Sequence, residues 1–228
     1  MVAIVSVSAK LQNGDSTTLA PSGSDQVLIS VGMGRASNSG RTILTHTIAG
    51  NSYTSGYFQE NSPGSTNTYT YGDYILSVPS GSSAESLTWS GAMVSSGDGD
   101  SVLYTCSGAH QSTAPTGTSL AFTNTTTPTA LTISPSTGDL ILYWIAFNAG
   151  GINTAPSGYT LDITGEMGNL AQGRWYSKVS DGTETSVTST VTGNRTGTHN
   201  ALVFPTSGAA PSVSIPVIMN HLRNQRIS

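Results

Sequence analysis

The chain has 228 residues and a formal net charge of −4, and small residues dominate its composition. It holds 35 serines, 32 threonines and 26 glycines, whereas charged residues make up only 9 %, against roughly 25 % in an average globular protein. This composition excludes coiled coils, long helices and charged disordered tails. The negative net charge gives no general attraction to nucleic acid or to an anionic membrane, so we expect neither as a partner.

The first ten residues, MVAIVSVSAK, lack the basic start, the long apolar stretch and the cleavage site of a signal peptide. Cys106 is the single cysteine, so no internal disulfide forms. Three interpretations of compartment stay open: a protein made in bacterial cytoplasm and released by lysis, as virion proteins are, an ordinary cytosolic protein, or a secreted protein whose signal was removed. We favour the first.

Fourteen short apolar or β-branched segments alternate with Gly, Pro, Ser and Asn turns, which predicts an all-β sandwich or barrel. Two of these turns, at 78–81 and 179–182, end on a glycine where positive φ is needed. In chain order the predicted strands are 2–7, 26–32, 42–48, 52–58, 67–78, 84–90, 101–106, 119–123, 130–133, 139–147, 159–164, 173–179, 185–191 and 199–204.

Similar segments recur in the same order in the two halves of the chain. The matched pairs are 25–32 with 138–146, 50–54 with 157–161, 74–81 with 175–182, and 101–109 with 200–209. One interpretation is two related halves packed face to face; the other is that β proteins reuse one pattern of strand and turn. The prediction is an all-β, jelly-roll-like, two-sheet antiparallel sandwich over residues 1–204, with a pseudo-repeat of 1–113 and 118–204.

Residues 205–228 differ from the rest, and we predict a linker that leads into a short C-terminal arm. Pro216 suits the first turn of a helix, and Ile218 and Leu222 then lie on one face. Arg223 and Arg226 occupy the end where a helix favours cations. Either the tail frays, or these five residues form a docking arm that binds a neighbouring subunit.

No motif for catalysis, phosphate binding or metal binding is present, so the sequence predicts no catalytic residue, cofactor or metal. The pair Gly32 and Gly34 is interpreted as a steric feature of a strand end. Asp98 and Asp100 could offer carboxylates to Ca²⁺, but a polar turn is favoured. His110 lies in a loop, and a metal-binding role is not expected.

The tryptophans offer a further set of candidates. Trp144 lies in the apolar run LILYWIAF and is expected in the core. Trp89 and Trp175 lie in alternating strands and could stack on sugars if they were exposed. A core position is favoured for both.

Three stretches carry a family resemblance: GDLILYWIAFNAGG, SGAHQSTAPTGTS and YGDYILSVPSGSSAESLTWSGA. Residues 25–208 resemble a family of β-sandwich proteins of tailed bacteriophages and some bacterial surface proteins. The resemblance implies the sandwich fold and a virion role as capsid decoration (cement), tail or fibre component. It carries over no catalytic residue, and it leaves out the N-terminal strand and the C-terminal arm.

Three functions are therefore compared. The first is a non-enzymatic capsid decoration protein that binds the major capsid protein or another virion protein as a homo-oligomer, with a trimer favoured. The second is a tail or fibre module that binds host carbohydrate through Trp89 or Trp175. The third, a glycan lyase or hydrolase, needs converging acids, and the sequence does not show them. The first is favoured.

Overall fold

The computed structural model describes residues 1–8, 11–12, 18–19, 26–36, 43–48, 51–61, 67–76, 78, 83–89, 99–148, 153–167 and 171–207. All regular elements in these ranges are β-strands. They are β1 (Ala3–Val7), β2 (Leu11–Gln12), β3 (Thr18–Leu19), β4 (Gln26–Ala36), β5 (Ile43–Ile48), β6 (Asn51–Ser52), β7 (Thr54–Asn61), β8 (Asn67–Ile75), β9 (Ser83–Trp89), β10 (Gly99–Ser107), β11 (Thr116–Thr125), β12 (Leu131–Thr132), β13 (Leu140–Asn148), β14 (Asn153–Thr154), β15 (Thr160–Met167), β16 (Ala171–Val179), β17 (Ser186–Val187), β18 (Thr190–Val191) and β19 (Arg195–Phe204).

Two antiparallel sheets form the body of the molecule, one from each half of the chain. The first has the order β1-β10-β4-β8-β7, with β2 also pairing with β10, and the second has the order β11-β19-β13-β16-β15. Reading each sheet in chain order gives the same path through the same five positions. The smaller pairings also correspond between the two halves. In the first half β9 pairs with β3 and with β5. In the second half β17 pairs with β12, and β18 pairs with β14.

The two sheets pack face to face, which confirms the predicted two-sheet antiparallel sandwich. Apolar side chains from both inner faces form one buried cluster. Alternate residues of each central strand contribute to it, as the two-residue period of a strand requires. The main contributors are Val27, Ile29, Val31, Met33, Val102, Tyr104, Leu140, Leu142, Trp144, Trp175, Leu202 and Phe204.

The outer face of the second sheet is also covered, by β12, β17, β18 and their connections. Ile141, Tyr143, Ile145 and Phe147 point to this side and pack in a second buried cluster with residues that include Leu131, Val187 and Val191. Strand β13 is therefore buried on both faces. This explains its uninterrupted apolar sequence, which is typical of strands without a solvent-facing side.

Glycines allow the sheets and the aromatic rings to approach closely. A Cβ at Gly72 would lie 2.8 Å from atoms of Trp144 and Leu202, which belong to the opposite sheet. A Cβ at Gly32 would lie 2.3 Å from the ring of Tyr71. Gly32 and Gly34 thus lie inside β4, and the interpretation as a strand-end feature was wrong: at Gly32 the missing side chain makes room for a tyrosine on the neighbouring strand.

Hydrogen bonds between described residues join the sheets across the apolar core. The Thr70 hydroxyl donates to Asn200 Oδ1 at 2.8 Å, and the Tyr104 hydroxyl donates to Asp162 Oδ2 at 2.9 Å. The Trp175 indole N–H donates to the Val31 carbonyl at 3.3 Å. Because these polar groups lie between the sheets, their pairing offsets the cost of removing them from water.

The predicted strands agree with the structure in position, although β2, β3 and β14 were not predicted. Strands β4, β10, β11, β15, β16 and β19 are longer than predicted, whereas β1, β5, β8 and β12 are shorter. The segment 185–191 splits into β17 and β18, and the turn at Gly182 has the expected positive φ of 88°. Residues 205–207, predicted as the start of the linker, are hydrogen-bonded to residues 108–110. The sandwich therefore extends at least to Ser207.

Gly197 provides a test of this close packing. A Cβ at this position would lie 2.1 Å from the Ala146 carbonyl oxygen and 2.8 Å from the Phe147 Cα, and neither backbone atom can move independently. We expect Gly197→Ala to lower the free energy of unfolding by about 1–3 kcal/mol in urea titrations. Ala121→Ser, at an exposed position of β11, is the control, and an equal effect of both substitutions would contradict the packing described.

Candidate functional site

Exposed large apolar side chains concentrate on the strands at the sheet edges. Val5 and Val7 of β1 are 54 % and 36 % exposed, Leu120 of β11 is 39 % exposed and Leu161 of β15 is 46 % exposed. Each of these strands ends a sheet in the described part of the chain. Strand β10 packs on β15 and β7 packs on β11. The sandwich thus has one side formed by β1 and β15 and another formed by β7 and β11.

The edge strands β1 and β11 contain no charged residue. Natural sheet edges usually carry charges, prolines or bulges that prevent pairing with another chain. Strand β1 has an irregular register between Ile4 and Ser6, and β11 has one between Phe122 and Thr125, but the remaining length of each edge has the chemistry of a pairing surface.

The start of β1 is attached to the second half of the chain. The N-terminal amino group donates to the Thr206 hydroxyl at 2.8 Å, and the Val2 amide donates to the Gly138 carbonyl at 2.8 Å. The Thr206 amide in turn donates to Asp139 Oδ1 at 2.8 Å. These bonds fix the edge strand at the point where β19 ends.

On the same side of the sandwich, a bulge in β15 places one carboxylate between the sheets. The register shifts between Leu161 and Ile163, so Asp162 has no partner in the ladder, and bulges often redirect a side chain in this way. Its carboxylate accepts hydrogen bonds from the hydroxyls of Tyr104 and Ser177, each at 2.9 Å.

Burial raises the pKa of Asp162, and the hydrogen bonds from Ser177 and Tyr104 act in the opposite direction. Burial, with the nearby Asp162 charge as a smaller contribution, also raises the pKa of Cys106 to about 12. Cys106 is therefore an unreactive thiol in the folded protein, because the thiolate is the reactive form.

A second buried polar group lies on the outer face of the second sheet. The Tyr143 hydroxyl is hydrogen-bonded to Ser189 Oγ at 2.9 Å and to His199 Nδ1 at 3.1 Å. Phe122 packs edge-on against the His199 ring, whose Nε2 has no hydrogen-bond partner among the described residues. Burial lowers the pKa of His199 to about 4, so the ring is neutral near pH 7.

Neither polar group resembles a metal site, since the described residues contain no cluster of three or more His, Cys, Asp and Glu side chains. A pocket of about 270 Å³ lies beside β11 and β12, slightly below the usual size range of ligand pockets. Its lining, which carries no charge, consists of Thr116, Gly117, Thr132, Ile133, Ser134 and Val203.

The residues predicted for docking all lie outside the described residues: Pro216, Ile218, Leu222, Arg223 and Arg226. Of the two tryptophans considered for sugar binding, Trp89 ends β9 and its side chain is not among those described. Trp175 is 1 % exposed and hydrogen-bonded to the opposite sheet. It cannot stack on a surface carbohydrate, so this candidate is excluded.

Asp100 and His110, considered above as possible metal ligands, have structural roles. Asp100 is buried inside β10, opposite Met33, rather than in the turn that was expected, while Asp98 lies outside the described residues. His110 Nδ1 accepts the backbone N–H of Thr113 at 3.0 Å and of Ser112 at 3.3 Å. This histidine therefore shapes the loop that joins the two halves.

Sequence reasoning did not find Asp162 or His199, because nothing near them in the chain marks their partners. The Tyr104 hydroxyl comes from the other half, and Asp162 reaches it only because β15 is bulged. The buried His199 lies in an ordinary strand sequence, and its tyrosine partner lies in the apolar run of β13.

The chain matches no family model, no curated protein and no solved structure. Among the described residues there is no helix long and apolar enough to cross a membrane.

The contact between Asp162 and Tyr104 can be tested by Asp162→Ala. This substitution leaves the buried Tyr104 hydroxyl without its acceptor, so we expect a loss of about 1–3 kcal/mol in the free energy of unfolding. Thr164→Ala, at an exposed position on the same strand, should change stability by less than about 0.5 kcal/mol. Equal urea midpoints for the two variants would show that the inter-sheet bond contributes nothing.

Buried neutral His199 predicts a loss of stability in acid. The pKa of His199 in the folded protein, about 4, is below the ordinary value of 6.5. Its contribution is therefore fully present above pH 6.5 and is lost as the pH falls towards 4, by about 3 kcal/mol in total. His199→Gln, which does not titrate, should flatten the urea stability profile between these pH values. An unchanged slope would show that other groups cause the loss.

Proposed function

We propose that this protein is a non-enzymatic structural component of a bacteriophage virion, most simply a capsid decoration protein that binds the outer shell as a homo-oligomer. The observation that carries the proposal is the chemistry of the edges. Strands β1 and β11 present Val5, Val7 and Leu120 to solvent without a charged neighbour in either strand. Such edges favour association with other chains.

The described titratable groups support an adhesive rather than a chemical role. Asp139 and Asp162 accept hydrogen bonds that hold together parts of the chain distant in sequence. Glu184 pairs with Lys178 at 2.5 Å and accepts the Ser180 hydroxyl at 2.6 Å beside the Gly182 turn. Each of these carboxylates is engaged in the fold itself.

Attachment to a shell needs no chemistry beyond burial of surface. Contacts made only in the assembled particle stabilise it by mass action, because they add free energy to that state alone. An arm within residues 208–228 contributes a second contact per subunit, and several arms in one oligomer increase the overall affinity. The resemblance of residues 25–208 to phage β-sandwich proteins agrees with this role.

Copy number per particle tests the proposal directly. Quantified protein bands of purified virions should give a number comparable to that of the major shell protein. A few copies per particle would instead favour the tail or fibre module, and glycan binding would then be measured with Trp89→Ala. Absence from particles would contradict a virion role.

The arm can be tested on the same particles. Leu222→Asp should lower the occupancy of particles stripped of the protein by at least about tenfold, which corresponds to 1.4 kcal/mol, while the melting temperature stays unchanged. Ser228→Asp serves as the control because it adds the same charge at the end of the arm. Equal occupancy for both variants would exclude Leu222 as a docking residue.

A further inference from the structure

The outer edge of β1 has the chemistry of a pairing surface. In the described part of the chain β1 pairs only with β10, and it exposes Val5 and Val7. Such an edge favours pairing with other copies of the chain. A segment that covered it in the free subunit would prevent that pairing until assembly.

The chain leaves the described part of the sandwich beside this edge. The Ser207 amide donates to the Gly108 carbonyl at 2.9 Å, and the preceding Thr206 hydroxyl accepts from the N-terminal amino group at the start of β1. Ala3 of β1 pairs with Ser107, next to Gly108 in the chain. The segment 208–228 therefore begins close in space to Ala3, where the exposed strand β1 starts.

The length and composition of residues 208–228 suit this edge. The five residues of β1 extend over roughly 17 Å, whereas an extended chain of the length of 208–228 spans roughly 70 Å. The apolar stretch VSIPVIM at 213–219 offers side chains for Val5 and Val7. A proline within such a segment is tolerated only on an outermost strand, and a segment added to β1 would be outermost.

Charge complementarity points to the same side of the sandwich. Asp162 of β15 accepts a hydrogen bond from Tyr104 of β10, which pairs with Val7 of β1, and the described hydrogen-bond partners of Asp162 are neutral hydroxyls. The segment carries Arg223 and Arg226 after its apolar stretch and contains no acidic residue. Arginine pairs well with carboxylates at such a surface.

We propose that residues 208–228 of the same chain cover the outer edge of β1 in the free subunit, with Arg223 and Arg226 beside the Asp162 carboxylate of β15. This inference deepens the proposed function and rests on it, because the proposed function supplies the virion as the partner that the segment later binds. The segment leaves β1 when it docks on the virion, and subunits then associate on the particle rather than in solution.

A spin label on the segment tests the cover in the full-length protein. Cys106 is completely buried, so a nitroxide reagent modifies Leu222→Cys alone. In ¹⁵N-labelled protein we expect the label to broaden the amide signals of Val5 and Val7 strongly. The signal of Leu120, equally exposed but on the β11 edge, is the matched reference and should keep its intensity.

Release of the cover gives a second readout. Ile218→Asp should detach the segment and speed hydrogen exchange over Ala3–Val7 by at least about tenfold, while Ser228→Asp should leave it unchanged. Slower or equal exchange in Ile218→Asp would contradict the cover.

Three outcomes of the labelling experiment overturn the inference. Broadening at Leu120 would assign the segment to the β11 edge, and no broadening on the sandwich would mean that the segment covers neither edge. Broadening of Val5 and Val7 in unlabelled ¹⁵N chains that are mixed with spin-labelled ¹⁴N chains would make a second copy the occupant. Each of these three outcomes leaves the proposed virion role intact. Absence of the protein from virions would instead contradict the virion role, and the cover in the free protein would still stand.

Discussion

The contact between the inner faces of the two sheets is the interaction on which the rest of the structure depends. Each sheet comes from one half of the chain, and its inner apolar face is covered by the sheet of the other half. Gly72 makes this possible at the centre, because any side chain there would collide with Trp144 and Leu202. Large buried side chains and small residues must alternate across such an interface to reach the density of a protein interior.

This arrangement determines where function can lie. The inner faces are used for packing, and the outer face of the second sheet is covered by β12, β17 and β18. The polar groups brought into these layers, Asp162 with Tyr104 and His199 with Tyr143, make bonds that hold the fold. The uncharged edges at β1 and β11 remain, and together with residues 208–228 they are the basis of the proposed role in assembly.

The sequence predicts the strands well because strand formation in this chain follows local patterns. The run LILYWIAF predicts a strand with Trp144 in the core, and Gly182 predicts a turn with positive φ; the structure shows both. The many short strands separated by turns predict the two-sheet architecture. The outer strand pairs β12–β17 and β14–β18 are only two residues long in each partner, too short for a periodic pattern.

The contacts between distant residues could not be predicted in the same way. Thr70 meets Asn200 across 130 positions of sequence, and which strands face each other depends on how the sheets stack. The bulge that turns Asp162 towards Tyr104 has no local signature in TLDITGEM. Trp175 could have faced either way from its alternating strand, and packing against the other sheet placed it inside. The candidate docking edge could not be predicted either, because the position of β1 at the end of a sheet depends on how distant strands pair.

Native-state hydrogen exchange in increasing denaturant tests the dependence of each half on the other most directly. If each sheet requires the other as its cover, the most protected amides of β4 in the first half and β13 in the second should open with the same free energy in one cooperative step. A lower opening free energy for β4 than for β13, or the reverse, would contradict the account, because it would show that one half remains folded after the other has opened.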